Sequence, residues 1–276
     1  MIQMQEIMVS EEQLTQIKSK ELYILKEFDR VCRENGLKYS LIYGTLLGAV
    51  RHKGFIPWDD DVDVCMLRED YEKFRRIAQD KLPNELFYQS HCTDKEYFQL
   101  FDKIRLNGTV FAEKYYAKYH MHQGIYIDIF PCDKIPNSPI KKKVQLIAYQ
   151  FFRVGLMSRY LDSSQRKGFK KWCARILGVV YSVFSMDYLY AKAEKIAKMY
   201  NRDDTKELFI FPDTITCNST IDYYSMQTIS TIKFEDACFY CMGNYEHYLH
   251  NQYGDYMELP PVDERIPKHE LINLYY

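Results

Sequence analysis

The sequence predicts an α+β protein: a mixed sheet core with flanking helices and a helical insert. Three observations carry this. Helical and strand-like hydrophobic patterns interleave over residues 1–139, residues 140–200 are helical almost throughout, and residues 201–276 return to short mixed elements. With 47% hydrophobic residues and few Pro and Gly, the chain has the composition of a globular protein. The expected organisation is a catalytic core over 1–139, a basic helical insert over 140–200, and a C-terminal part over 201–276 that completes the core.

The first element is an amphipathic helix from Glu11 to Asn35. Leu14, Ile17, Leu22, Leu25, Phe28 and Val31 recur at helical steps, and Gly36 supplies the C-terminal cap. Leu37 to Tyr43 alternates like a half-buried strand. Gly44-Thr45 breaks it and opens a short helical run from Leu46 to His52, closed by Gly54. After a Pro57-Trp58 turn, Asp61 to Leu67 reads as a second strand, and Arg68 to Lys81 as a charged helix stopped by Pro83. Further strands are expected at Leu86–Ser90, Phe98–Leu106 and Ile125–Phe130.

A formal net charge of −1 gives no basis for nucleic acid as a partner. The start, Met1 to Ser10, lacks the charged head and apolar run of a secretion signal, and the eight Cys form no disulfide-like framework. Both features predict a reducing, cytoplasmic setting. Cys238-x-x-Cys241 with His247 and His250 misses the usual zinc spacing and reads as ordinary buried thiols.

The chemistry concentrates in Trp58-Asp-Asp-Asp-Val-Asp63. On a strand, Asp61 and Asp63 would project from the same face. Two carboxylates about 5–6 Å apart repel by roughly 2–3 kcal/mol at an effective dielectric near 20. A divalent cation compensates that repulsion most directly. Asp128, within the apolar Ile125-Tyr-Ile-Asp-Ile-Phe130, would complete a three-carboxylate cage if its strand lies beside the first. Hard oxygen ligands of this kind suit Mg²⁺ or Mn²⁺. A calcium-binding EF loop is excluded, because Val64 stands where its Gly must be and Asp70 where its Glu must be.

Anion-binding candidates lie close by. A helix opening at Gly44-Thr45 offers free N–H groups and a favourable dipole. Arg51, His52 and Lys53 either neutralise phosphate oxygens or are surface charge. Lys103 and Arg105 share a strand face and could hold a second phosphate.

Three stretches together carry a family resemblance: Tyr43-Gly-Thr-Leu-Leu-Gly-Ala-Val-Arg51, Gly54-Phe-Ile-Pro-Trp-Asp-Asp-Asp-Val-Asp63 and Gly124-x3-Asp128-Ile-Phe-Pro131. They closely resemble the LicD family, which transfers phosphocholine and related phospho-alcohols and to which fukutin-related proteins are distant relatives. Tyr253-Gly-Asp-Tyr-Met257, Pro260, Pro261, Arg265 and His269 resemble that family's C-terminal motif.

The resemblance implies a nucleotidyltransferase-type fold, a cytidine-diphosphate-linked alcohol donor and a sugar hydroxyl acceptor on a cell-surface glycan or its lipid-linked precursor. It makes Asp61, Asp63 and Asp128 the metal ligands, with Asp128 helping to deprotonate the acceptor. Asp59 and Asp60 fall in the same motif. Gly44 and Thr45 would sit against the diphosphate with Arg51 or the Lys103–Arg105 pair beside it, and Tyr253, Arg265 and His269 either shape the donor or acceptor pocket or belong to a structural tail packed on the core. Three rivals are a nucleotide-sugar glycosyltransferase, a nucleotidyltransferase leaving the nucleoside monophosphate on its acceptor, and an inactive binding protein.

Between Lys141 and Arg175 there are ten Lys or Arg and one acid, Asp162. The apolar stretch after Arg175 is too short to span a bilayer. The insert is therefore read either as an amphipathic surface lying on the inner face of an anionic membrane or as a subdomain with a solvated basic face.

Overall fold

The computed structural model describes residues 7–276 apart from 115, 117–118, 161–167 and 214–219. The start of the chain up to Glu6, and Asp162, Arg166 and Lys167 of the basic run, lie outside the described residues. The first helix, α1 (Glu11–Glu34), opens with a reciprocal capping box. Ser10 Oγ accepts the Gln13 N–H while Gln13 Oε1 accepts the Ser10 N–H. Beyond it Gly36 sits at φ +63°, a conformation that costs glycine little.

The strand expected over 37–43 shortens to β1 (Ser40–Leu41), because Ile42 is already the N-cap of the next helix, although its N–H still meets the Asp63 carbonyl at 3.1 Å in the β1–β2 register. The following helix, α2 (Tyr43–Arg51), therefore starts earlier than the Leu46 expected. Next come β2 (Asp63–Leu67), α3 (Arg68–Lys81), β3 (Leu86–Gln89), β4 (Asp102–Leu106), β5 (Val110–Glu113) and β6 (Tyr126–Lys134). The strand expected from Phe98 begins only at Asp102, and β5 was not anticipated.

The insert is three helices: α4 (Pro139–Tyr160), α5 (Gly168–Tyr181) and α6 (Met186–Ala197). After it follow β7 (Glu207–Phe209), β8 (Ile221–Asp222), α7 (Tyr223–Gln227), the hairpin β9 (Ser230–Phe234) and β10 (Ala237–Cys241), α8 (Tyr245–Tyr253) and β11 (Leu271–Tyr275). No helix among the described residues is long and apolar enough to cross a membrane.

The main sheet runs β1-β2-β6-β4-β3, with β7 and β8 added at the far end of the long β6. Only β2 and β6 are parallel. Their register sets Asp63 beside Asp128; Lys103 lies opposite Asp128, and Gln89 opposite Lys103. Paired positions share a face, so one row crosses four strands with two acids, a cation and an amide.

Against the sheet, α1 buries Ile17, Ile24, Leu25, Phe28 and Val31. Each such side chain contributes about 1.5–3 kcal/mol relative to exposure. The helix α4 crosses α5 closely at Gly155, where a Cβ would come within 2.6 Å of the Tyr181 ring. Arg75 joins α3 to α6 through Glu194 at 3.0 Å, and Arg68 pairs with the fully buried Asp133. The C-terminal strand β11 pairs with β5, which brings residues 268 and 269 to the acidic end of the sheet.

Candidate active site

The acidic run does not join the sheet where the sequence suggested. Lys18 of α1 donates to the carbonyls of Ile56 at 2.9 Å and Pro57 at 2.7 Å, holding the Pro57-Trp58 turn away from the strands. The strand begins at Asp63, so Asp61 lies in the extended segment before it. Asp61 remains the charged neighbour that acts most strongly on Asp63. It also gathers with Asp59 and Asp60: ligand oxygens of these three lie within 4.8 Å of one another.

Asp63 is held on both sides. Its N–H donates to Thr45 Oγ1 at 2.8 Å, and the Asp128 N–H donates to the carbonyl of Val62 at 2.8 Å. Asp128 Oδ1 accepts from Lys103 Nζ at 2.5 Å. Asp60 accepts from the His269 imidazole at 3.0 Å and from the His269 and Lys268 backbone N–H groups.

One carboxylate was missed by the sequence reading. Glu21 of α1 is buried, its Oε2 has no hydrogen-bond partner among the described residues, and the charges of Asp61, Asp60 and Asp59 act on it.

Electrostatics confirm an excess of negative charge. Burial, then Asp61, pushes the Asp59 carboxyl up to about 7. Burial followed by Asp61 and Asp128 raises Asp63 well above the carboxylate range. Burial raises Asp128 despite the opposing pull of Lys103, and raises Asp61 despite that of His269. Glu21 is raised well above its ordinary value by burial and the three neighbouring acids. Burial would lower the His269 imidazole, but its hydrogen bond to Asp60 and the surrounding carboxylates carry it up to about 10.

Buried like charges with raised pKa values gathered in one place are what a bound cation would relieve. Ligand oxygens from Asp59, Asp60 and Asp61, with Asp63 and Asp128 alongside, form a hard donor set that fits Mg²⁺ or Mn²⁺.

Several expected anion contacts are differently engaged. A Cβ on Gly44 would meet Asp59 Oδ2 at 2.5 Å, so the start of α2 receives a protein carboxylate. Arg51 Nη1 donates to the carbonyls of Tyr256 and Glu258 at 3.2 and 3.1 Å, which ties down the C-terminal motif. Arg105 is buried; it donates to Gln89 and, at 2.6 Å, to the Gly124 carbonyl. Lys103 belongs to Asp128 and lies 3.4 Å from the centre of the Tyr126 ring. The expected Lys103–Arg105 phosphate clamp is therefore a pair of buried groups with internal partners.

Arg265 sits 5.5 Å from the Trp58 ring centre and donates to the Pro260 carbonyl at 2.9 Å. Tyr253 ends α8 and is 40% exposed. The Cys238–Cys241 pair does not converge on a ligand: Cys238 is exposed, while Cys241 is buried with its Sγ 3.2 Å from Ser230 Oγ.

Residues 36–162 match the family described as LicD/FKTN/FKRP, nucleotidyltransferase domain. Over those residues the chain is a match to a LicD-family domain. All five aspartates of the cluster fall within the LicD match, whereas Glu21 and His269 enter from outside it. The chain is also similar to the lipopolysaccharide cholinephosphotransferase LicD of Haemophilus influenzae, at 28% identity over 262 residues, 90% of this chain and 92% of that protein. Uncharacterised proteins of Rickettsia typhi and Rickettsia prowazekii are 42% and 43% identical over 65 and 61 residues, which cover 23% and 22% of this chain.

Proposed function

We propose that this phosphotransferase moves a phospho-alcohol, such as phosphocholine, from a cytidine-diphosphate-linked donor to a sugar hydroxyl, with Mg²⁺ or Mn²⁺ bound at the aspartates. The observation that carries the reading is the registered pair Asp63–Asp128, set beside the three mutually close carboxylates of Asp59, Asp60 and Asp61. The likeness to a lipopolysaccharide cholinephosphotransferase over 90% of the chain supports both the transferred group and a glycan acceptor.

In this reading Asp61, Asp63 and Asp128 hold the metal, with Asp59 and Asp60 beside them. The bound ion supplies charge stabilisation for the diphosphate. The acceptor hydroxyl attacks the phosphorus that bears the alcohol, and the bond to the cytidine monophosphate oxygen breaks with its electron pair. A carboxylate oxygen of Asp128 takes the hydroxyl proton. Lys103, at 2.5 Å, orients that carboxylate. His269 fixes Asp60, and Arg51 together with Arg265 holds the C-terminal wall of the cleft.

The test is turnover of cytidine diphosphate-choline, and of its ethanolamine, glycerol and ribitol relatives, with a sugar acceptor and Mg²⁺. The expected products are cytidine monophosphate and an acceptor heavier by one phospho-alcohol. A nucleoside monophosphate left on the acceptor, or turnover confined to uridine- or guanosine-diphosphate sugars, overturns the reading.

A further inference from the structure

The insert carries an apolar surface that the catalytic cleft does not use. On α4, Ile140, Val144, Ile147 and Phe151 are 77, 61, 61 and 49% exposed. They are spaced i, i+4, i+7, i+11, which puts them on one face of the helix. Trp172, Ile176, Val179 and Val183, the last in the turn after α5, repeat that spacing at 61, 40, 71 and 78% exposure. The two helices pack together. Tyr181 donates to the Phe151 carbonyl at 2.8 Å, and its ring lies 5.3 Å from that of Phe151. Phe151 of the first stripe therefore lies at the contact with α5, which carries the second.

Apolar surface of this extent is a binding surface unless something covers it. Its charge setting identifies the occupant. Lys141 and Lys143 are exposed beside the α4 stripe, and residues 141–175 hold ten Lys or Arg against one acid. A second copy of the chain seated on this face would bring two such basic segments together and meet repulsion. An anionic lipid leaflet offers what both features need, namely negative headgroups for the lysines and acyl chains for the aliphatic and indole side chains.

We propose that α4 and α5 form a monotopic docking face that lies in the headgroup region of an anionic bilayer, with Ile147, Val179 and Val183 entering the acyl boundary. This deepens the proposed function by placing the enzyme at the surface where a lipid-linked acceptor would be found, but the binding itself is independent of donor or metal.

The test is flotation of the purified full chain with vesicles of phosphatidylglycerol and phosphatidylcholine, and with phosphatidylcholine alone, at low and high salt. Binding is expected on the anionic vesicles, at least tenfold weaker on the neutral ones, and reduced by salt. The triple variant Ile147→Asp, Val179→Asp, Val183→Asp should lose at least tenfold in partitioning while its circular dichroism melt is unchanged, since these side chains are exposed. Lys141→Gln with Lys143→Gln should weaken binding several-fold and leave the fold intact. Absence of parent binding to anionic vesicles, or equal binding by the triple variant, overturns the proposal. So does a dimer in sedimentation that the triple variant dissolves, because the face would then belong to a second copy. Donor turnover is measured separately, so loss of activity with intact flotation counts only against the proposed reaction.

Discussion

Thr45 accepts the backbone N–H of Asp63 through its hydroxyl at 2.8 Å, joining the first turn of α2 to the first residue of β2. Both residues are buried. Thr45→Val keeps the shape but leaves a buried donor without its partner, at a cost of about 1–3 kcal/mol. Urea melts should show that loss. Turnover should fall by about tenfold or more, because small displacements of a reacting group are costly. Thr45→Ser should recover most of both. If the valine variant melts and turns over like the parent, Thr45 does not position Asp63.

Gly44 is demanded by a different neighbour. An added methyl would stand 2.5 Å from Asp59 Oδ2, the end of a movable side chain and not backbone. Gly44→Ala should therefore displace the Asp59 carboxylate while costing less than about 1.5 kcal/mol of stability, within the range of tolerated small changes. Metal affinity and turnover should drop together. A variant with full Mg²⁺ affinity would show that Asp59 is not needed in the cluster.

These two residues show how far the sequence was legible. Asp63 and Asp128 could be found because charged side chains in otherwise apolar strands demand an explanation; that their strands lie side by side was a condition of that reading, and the Asp63–Asp128 register meets it. Glu21 was missed because the apolar stripe of α1 was read through Leu22. The buried face instead runs Leu14, Ile17, Glu21, Ile24, Leu25, Phe28. A carboxylate at the i+4 step from Ile17 was the available signal. The internal partners of Arg51 and Arg105 were not legible, because a sequence shows a donor's charge but not the carbonyls that accept from it. The contacts of Tyr256 and Glu258 with Arg51 span more than two hundred positions.

His122 makes stability depend on acid. Its Nδ1 accepts the Gly124 N–H at 3.1 Å, so Nε2 carries the proton and donates to Asn107 Oδ1 at 2.9 Å. Burial, then the charge of Arg105, lowers this imidazole to about 4. Unfolded chains protonate histidine near 6.5. Between those values the unfolded state binds a proton that the folded state refuses, so the stabilisation is complete above about 6.5 and is lost as pH falls towards 4. Discounted for partial exposure, the loss is about 1–2 kcal/mol. Urea melts at pH 7 and pH 4.5 should show a smaller acid loss for His122→Gln than for the parent. Equal slopes would remove His122 from the account.

The acidic cluster should be a source of instability until a cation binds. Burial raises both Glu21 and Asp63 well above the carboxylate range, and neighbouring aspartates raise them further. Glu21 Oε2 also lacks a hydrogen-bond partner among the described residues. Neutral isosteres relieve that repulsion, and a Gln amide at position 21 can donate to the adjacent carboxylates. Without divalent metal, Glu21→Gln and Asp63→Asn should each gain about 1 kcal/mol, which for a chain of this size is roughly 2–4 °C in melting temperature. Mg²⁺ should then raise the melting temperature of the parent, do so less for Glu21→Gln, and fail to do so for Asp63→Asn, since stabilisation by a ligand requires a folded-state site for it. The gradation distinguishes a carboxylate beside the metal from one that binds it. Should both variants melt below the parent in chelator, these carboxylates are paired in the metal-free protein, and the case for a cation from charge excess fails. Should Asp63→Asn respond to Mg²⁺ as the parent does, Asp63 is not a ligand, and Asp59, Asp60 and Asp61 hold the ion without the sheet.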